Sequence, residues 1–427
     1  MSRMTRLGSG LTVVSDDMAH VDSVAVGVWV ETGVRAEGEE EHGLAHFMEH
    51  MAFKGTERRS ARDISEAIES VGGDINAATS VELTHYDCRM LAEDLPLALD
   101  ILADILTAPR FDPEDVAREA GVIAQEIGAA EDDFEDRAFD AFPETAFPGQ
   151  PFGRRILGTR ETVASVTPDA LRAFFGRHYV APAMTVSAAG KVDHDALVDA
   201  VARAFEKVPT RPAASHEPPR YGGGRADDTA RNASEVQVLV GFEGRAATHE
   251  DAVAAHLAGM VLGGGSSSRL FQALREENGY VYDTSAFHWG FRDAGLLGLH
   301  LATEPDKVVP ALSLAIDELE KAAASMTEEE VRRAKAVWRA GILMSRESPS
   351  ARAEIAARSA ILFGRLRTKE ERIAEMEAAG VDDVRRVLGE IIGSAPTVVN
   401  VGGAKPRRLD PLVERLRGLG TARADAA

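Results

Sequence analysis

The sequence holds a single cysteine, Cys88, in 427 residues. One thiol cannot form a disulfide within the chain, and it excludes a cysteine-rich zinc site. Long apolar runs are also missing. No stretch approaches the roughly 18 apolar residues of a membrane-spanning helix. Near the N-terminus Arg3, Arg6, Asp16 and Asp17 break up what a secretory signal would need as an unbroken apolar segment. These absences predict a reduced, cytoplasmic protein with no membrane association. Positive charge is in short supply too. Lys and Arg number 48 against 69 Asp and Glu, a net charge of -21. A nucleic-acid binder would carry a basic footprint. An acidic chain instead concentrates cationic partners such as basic peptides. What the chain does have is apolar content, 44%, enough for globular cores. At about 100–200 residues per domain, its length predicts two to four domains or one repeated unit.

The repeat is visible in three segment pairs. Ser23–Gly33 resembles Ser234–Gly244 at an offset of 211, Thr185–Gly190 resembles Thr397–Gly402 at 212, and Val116–Ile127 resembles Val331–Ile342 at 215. Three matches in order at nearly one offset argue for a duplication. The Pro- and Gly-rich stretch Val208–Asp228 lies near the middle and reads as a linker. Val24, Val26, Val28 and Val30 follow a period of two, as do Val236, Val238 and Val240, so each half opens on a strand. A helix is expected after Ser60 as N-cap, and another after Asp112, with Pro113 first and Glu114 and Asp115 in its first turn. The fold expected is α+β, with two homologous domains, each a mostly antiparallel sheet packed with helices. The expected division is 1–210 for the first domain, 211–226 for the linker and 227–427 for the second.

Chemistry concentrates in residues 46–50, His-Phe-Met-Glu-His. On a helix over Leu44–Ala52, His46 and His50 share a face and Glu49 borders it. Two imidazoles can then hold zinc with a carboxylate alongside, the inverted H-x-x-E-H pattern. A catalytic zinc usually takes three protein ligands and leaves one position open. The helix after Asp112 offers Glu119 and Glu126, two turns apart on one face. Spacing alone leaves open which of them is the third ligand. In the second half His46, Glu49 and His50 fall on Ala258, Val261 and Leu262, and Glu119 and Glu126 fall on Ala334 and Gly341. The copy keeps the packing residues and drops the polar ones. It reads as scaffold without a metal.

The segments Gly43–Thr56, Asn76–Ser80, Glu119–Glu126, Gly263–Leu270 and Leu274–Tyr282 together resemble the pitrilysin-type zinc peptidases. Within that family they are similar to the mitochondrial processing peptidase β subunit and its bacterial relatives. The resemblance implies zinc held by His46, His50 and Glu126, Glu49 as general base, and Glu119 supporting a ligand. It implies that Arg275 and Tyr282 are brought to the site by the second domain, and that Asn76, Ala77, Ala78 and Thr79 lie on an edge strand that pairs with substrate. A packed strand aromatic is the other role open to Tyr282, and the one expected of Tyr280. Asp136 and Asp140 match acids that contact a substrate arginine in processing-peptidase relatives; a solvated acidic helix face is the alternative for them. The function implied is a zinc endopeptidase for extended, unfolded, basic peptides, with a non-catalytic peptide-binding or assembly subunit as the other reading. The family's chamber is a clamshell of four domains. Two domains per chain imply a homodimer, or a heterodimer with an inactive homologue.

Overall fold

The computed structural model describes residues 2–230 and 233–424. It contains eleven strands: β1 (Ser2–Arg6), β2 (Thr12–Asp17), β3 (Ser23–Val30), β4 (Asp74–Thr79), β5 (Thr84–Leu91), β6 (Met184–Gly190), β7 (Gly224–Thr229), β8 (Val236–Glu243), β9 (Val281–Gly290), β10 (Gly295–Thr303) and β11 (Thr397–Gly402). They form a six-stranded sheet in the order β1-β2-β6-β3-β5-β4 and a five-stranded sheet in the order β7-β11-β8-β10-β9. Without β1 the two orders correspond strand for strand. Each has one parallel pair, β2 with β6 and β7 with β11, and is otherwise antiparallel. The architecture is therefore α+β and duplicated. Among the described residues no helix is long and apolar enough to cross a membrane.

The register fixes the repeat offset. Val24 lies opposite Gly190 and Val236 opposite Gly402, so both strands repeat at 212. For the first strand this is one residue more than the best sequence match suggests. Gly190 and Gly402 occupy φ values of 123° and 113°. A Cβ there would lie 2.3 Å from the carbonyl oxygen of Ser23 and of Glu235, respectively. Only glycine fits both the dihedral and the gap.

The helix starts follow from local chemistry. The Ser60 hydroxyl accepts the Asp63 N–H while the Asp63 carboxylate accepts the Ser60 N–H, a reciprocal cap on helix Ala61–Glu69. The Asp112 carboxylate accepts the Glu114 N–H at 3.0 Å, and helix Pro113–Asp132 runs on from there. The linker ends sooner than its composition suggests, because Gly224–Thr229 forms β7. That strand is polar, lies at a sheet edge and shows no apolar alternation.

The chain folds into two compact units that draw on both halves of the sequence. The first comprises Met1–Gly128, Arg154–Glu217 and Ile342–Thr368; the second comprises Ala129–Gly153, Pro218–Gly341 and Lys369–Ala427. Two helices are exchanged. Phe134–Ala146 comes from the first half and packs on β7, β8 and β11, while Pro349–Phe363 comes from the second and packs on β2, β3 and β6. They begin 215 residues apart, so they are equivalent under the duplication.

The exchange explains a difference from the expected pattern. β3 alternates apolar side chains, yet residues on both of its faces are buried. One face meets the main core. The other is covered by Pro349–Phe363, whose Ala353 and Ala357 pack with Trp29, Met18, Leu83 and Ala189. Arg352 clamps this helix by two 2.6 Å bonds to the buried Asp16 carboxylate. In the second unit Phe142 lies against Gly241, where a Cβ would come within 2.2 Å of its ring.

Candidate active site

The pattern 46–50 lies on helix Leu44–Ala52, the span expected from sequence. Leu44, Ala45, Phe47, Met48, Met51 and Ala52 are buried in the first core and anchor it. Its N-terminus is capped from outside. Gly43, at φ 92°, has no side chain to accept the first-turn N–H groups. Glu37 takes that part, accepting from Gly43 N–H at 3.0 Å and Ala45 N–H at 2.9 Å. Glu37 is 2% exposed. Burial pushes its carboxyl up to about 8, against the opposing pull of the two N–H groups and Arg154.

This makes Glu37 a source of pH dependence. Its folded value lies above the ordinary 4.5, so the native state holds the proton longer than the unfolded chain does. The stability it contributes is complete below about pH 4.5 and declines as pH rises towards about 8. Glu37→Gln, uncharged at every pH, is expected to flatten that decline. Calorimetric unfolding midpoints at about pH 5.5 and about pH 8.5 measure it. A gap as large as in the wild type would refute the assignment.

Three donors converge beside the capped helix. His46 Nε2 lies 3.8 Å and His50 Nε2 3.5 Å from Glu126 Oε2. All three ligand atoms are within 4.8 Å of one another, a set able to hold a metal ion. A tetrahedral zinc with bonds of about 2.0–2.1 Å sets ligand atoms about 3.4 Å apart, so the set fits with a small inward adjustment. Burial, then the neighbouring His50 charge, lowers His46 to about 4, which keeps its imidazole in the neutral, ligating form at neutral pH. Glu126 is 41% exposed at its side chain, so the set opens to solvent.

Around the donors lies a supporting layer. His50 Nδ1–H donates to Glu119 Oε2 at 3.1 Å, leaving Nε2 as the free lone pair. Glu119 is 3% exposed, and its other oxygen pairs with Lys54 Nζ at 2.8 Å. Nδ1 of His46 is buried with no hydrogen-bond partner among the described residues, so packing holds that ring. Glu49 Oε2 accepts from Thr79 Oγ1 at 2.6 Å. The sequence reading passed over Glu37 and Lys54. Lys54 stands within the Gly43–Thr56 segment, four residues beyond His50. Glu37 shows no helical spacing to the pattern, and its role appears only once the turn before the helix is folded.

Asn76, Ala77, Ala78 and Thr79 lie on β4, at the edge of the six-stranded sheet, where β4 pairs only with β5 among the described strands. Arg275, Tyr282, Asp136 and Asp140 belong to the second unit. Arg275 is in the π-helical stretch Phe271–Glu277, its guanidinium 5.1 Å from the Phe271 ring centre. Tyr282 is 54% exposed, not packed, and its hydroxyl donates to Glu304 Oε1 at 2.9 Å, a bond that raises its pKa. Tyr280 packs against the second core. Asp136 is exposed on helix Phe134–Ala146 and Asp140 is half-buried.

Residues 12–160 match the family model described as insulinase, peptidase family M16, and residues 165–337 match that of the M16 inactive domain. An uncharacterized zinc protease of Streptomyces coelicolor is 36% identical over 419 residues, covering 96% of this chain and 91% of that one. The chain belongs to peptidase family M16. A probable mitochondrial-processing peptidase subunit beta of Arabidopsis thaliana is 33% identical, covering 92% of this chain and 76% of its own. The fold agrees: a crystal structure of a protease from Helicobacter pylori superposes with a TM-score of 0.88 at 21% identity, covering 95% of this chain and 99% of that one. The protein is thus a pitrilysin-type zinc metalloprotease, and its cofactor is Zn2+.

Proposed function

We propose that this M16 peptidase cleaves extended, unfolded and preferentially basic peptides at a zinc ion held by His46, His50 and Glu126. The observation that carries the reading is the convergence of His46 and His50, on the helix that also bears Glu49, with Glu126 from helix Pro113–Asp132. Zinc supplies Lewis acidity, which polarises a carbonyl and makes water a stronger acid. Glu49 accepts the proton of the attacking water and passes it to the leaving amine. Glu119 fixes the tautomer and ring plane of His50, and Lys54 balances the buried Glu119 charge. The outer edge of β4, at Asn76, Ala77 and Ala78, takes the substrate main chain as an added strand, which requires an extended peptide. Arg275 and Tyr282 act on the bound substrate, with Tyr282 exchanging Glu304 for the oxyanion.

The preference for basic peptides is supported by the net charge of -21 and by the acids of residues 131–140. Desolvation, then repulsion from Asp133 and Asp136 in that segment and from Asp283 and Glu235 outside it, raises Glu135. Asp136 and Asp140 are the proposed contacts for a substrate cation. The chain acts as half of a four-domain assembly, a homodimer or a heterodimer with an inactive homologue, a reading supported by its resemblance to processing peptidases. The intact donor set weighs against a non-catalytic subunit. Metal analysis, together with cleavage of quenched basic and neutral peptides with and without chelator, tests the proposal. We expect bound zinc, cleavage abolished by chelator and restored by zinc, and faster turnover of the basic peptide. Zinc and peptide binding without cleavage would leave only a capture role.

A further inference from the structure

The proposed base needs more than a place on a helix; its carboxylate must be aimed. The hydroxyl 2.6 Å from Glu49 Oε2 belongs to Thr79, the last residue of β4. Its direction is determined by the next neighbour. Thr84, opposite Thr79 in the β4–β5 register, is fully buried and donates its own hydroxyl proton to the Thr32 carbonyl at 3.0 Å. Toward Thr79 the Thr84 hydroxyl can therefore only accept, and at 3.4 Å it is a far weaker acceptor than Glu49 Oε2 at 2.6 Å. An ionised carboxylate only accepts, so the Thr79 proton goes to Glu49 in a short, charge-assisted bond. Along β4 the Thr79 side chain shares a face with Ile75 and Ala77, which pack on the first core. The hydroxyl thus turns inward to the base, away from the strand edge.

We infer that Thr79 is a positioning residue: its hydroxyl holds the Glu49 carboxylate in the orientation for proton transfer and ties the base to the strand that receives substrate. This rests on the peptidase reading above and changes the part expected of Thr79 from substrate contact to support of the base. Because substrate main chain would add to β4, a strand drawn into register by substrate would carry the Thr79 hydroxyl with it.

Thr79→Val keeps the shape and removes the hydroxyl; Thr79→Ser keeps the hydroxyl. With zinc content and thermal midpoint as controls for folding, Thr79→Val is expected to lower kcat by about 10- to 100-fold and leave KM within about twofold of wild type. Thr79→Ser should recover most of kcat. A rise in KM alone would make Thr79 a substrate contact and overturn the inference. So would a serine variant no better than valine, which would mean that the methyl group matters. Wild type and Glu49→Gln run in the same assay test the underlying reading separately: an inert wild type or an active Glu49→Gln variant overturns the peptidase assignment, not the positioning. Crystal structures decide the positioning without turnover. Glu49 in an unchanged rotamer in Thr79→Val refutes it, and a displaced carboxylate supports it.

Discussion

Glu49→Gln is expected to bind zinc as the wild type does and to lose about 10²- to 10⁴-fold in kcat, the range for removing a general base. The substitution keeps the length and volume of the side chain. Gln can still accept the Thr79 hydroxyl bond, so the helix and its donors stay in place. What disappears is the ability to take a proton from water and return it to the amine. Zinc stoichiometry and single-turnover cleavage of a peptide separate the two consequences. Cleavage at the wild-type rate would remove Glu49 from the mechanism, and loss of zinc would make it a structural part of the metal set.

The second large effect concerns the third ligand. Sequence spacing left Glu119 and Glu126 open, and the structure treats them differently. Glu126 Oε2 faces both Nε2 atoms and is solvent-accessible, whereas Glu119 is buried between His50 Nδ1 and Lys54. An outer partner of a ligating histidine is worth about 10- to 100-fold in metal affinity. Glu119→Gln should fall in that range, and Glu126→Gln should exceed it, because a donor to the ion itself is lost. Zinc titration against a chelating dye ranks the two. If Glu119→Gln binds zinc more weakly than Glu126→Gln, the assignments must be interchanged.

Much of this site could be read from the chain alone, because its parts are local. The spacing of His46, Glu49 and His50 is a helical property, as is that of Glu119 and Glu126, and the caps at Ser60 and Asp112 use donors a few residues away. The links that sequence could not supply are those between elements. Thr79 is thirty residues from Glu49, and nothing in the Asn76–Ser80 segment tells a hydroxyl aimed at a base from one aimed at substrate. The helix exchange was hidden for a similar reason. Phe134–Ala146 is an amphipathic segment whose pattern shows that one face is covered, whereas the Ala-rich Pro349–Phe363 has only a weak apolar face. Which sheet does the covering is decided by tertiary packing. β7 was missed because a polar edge strand has no apolar period to detect.

The exchanged helices also give the two halves different histories during synthesis. Helix Phe134–Ala146 leaves the ribosome before its sheet exists, so Phe139 and Phe142 must wait without the β8, β9 and β10 residues their rings meet. The sheet of the first unit waits in the opposite sense: its strands are complete by Gly190, while its covering helix ends only at Phe363. At about 5–20 residues per second that interval is roughly 10–30 s. Throughout it the Met18, Val14 and Trp29 surface is open to water or to a chaperone, and a chain stalled between those points would present it as an aggregation-prone face.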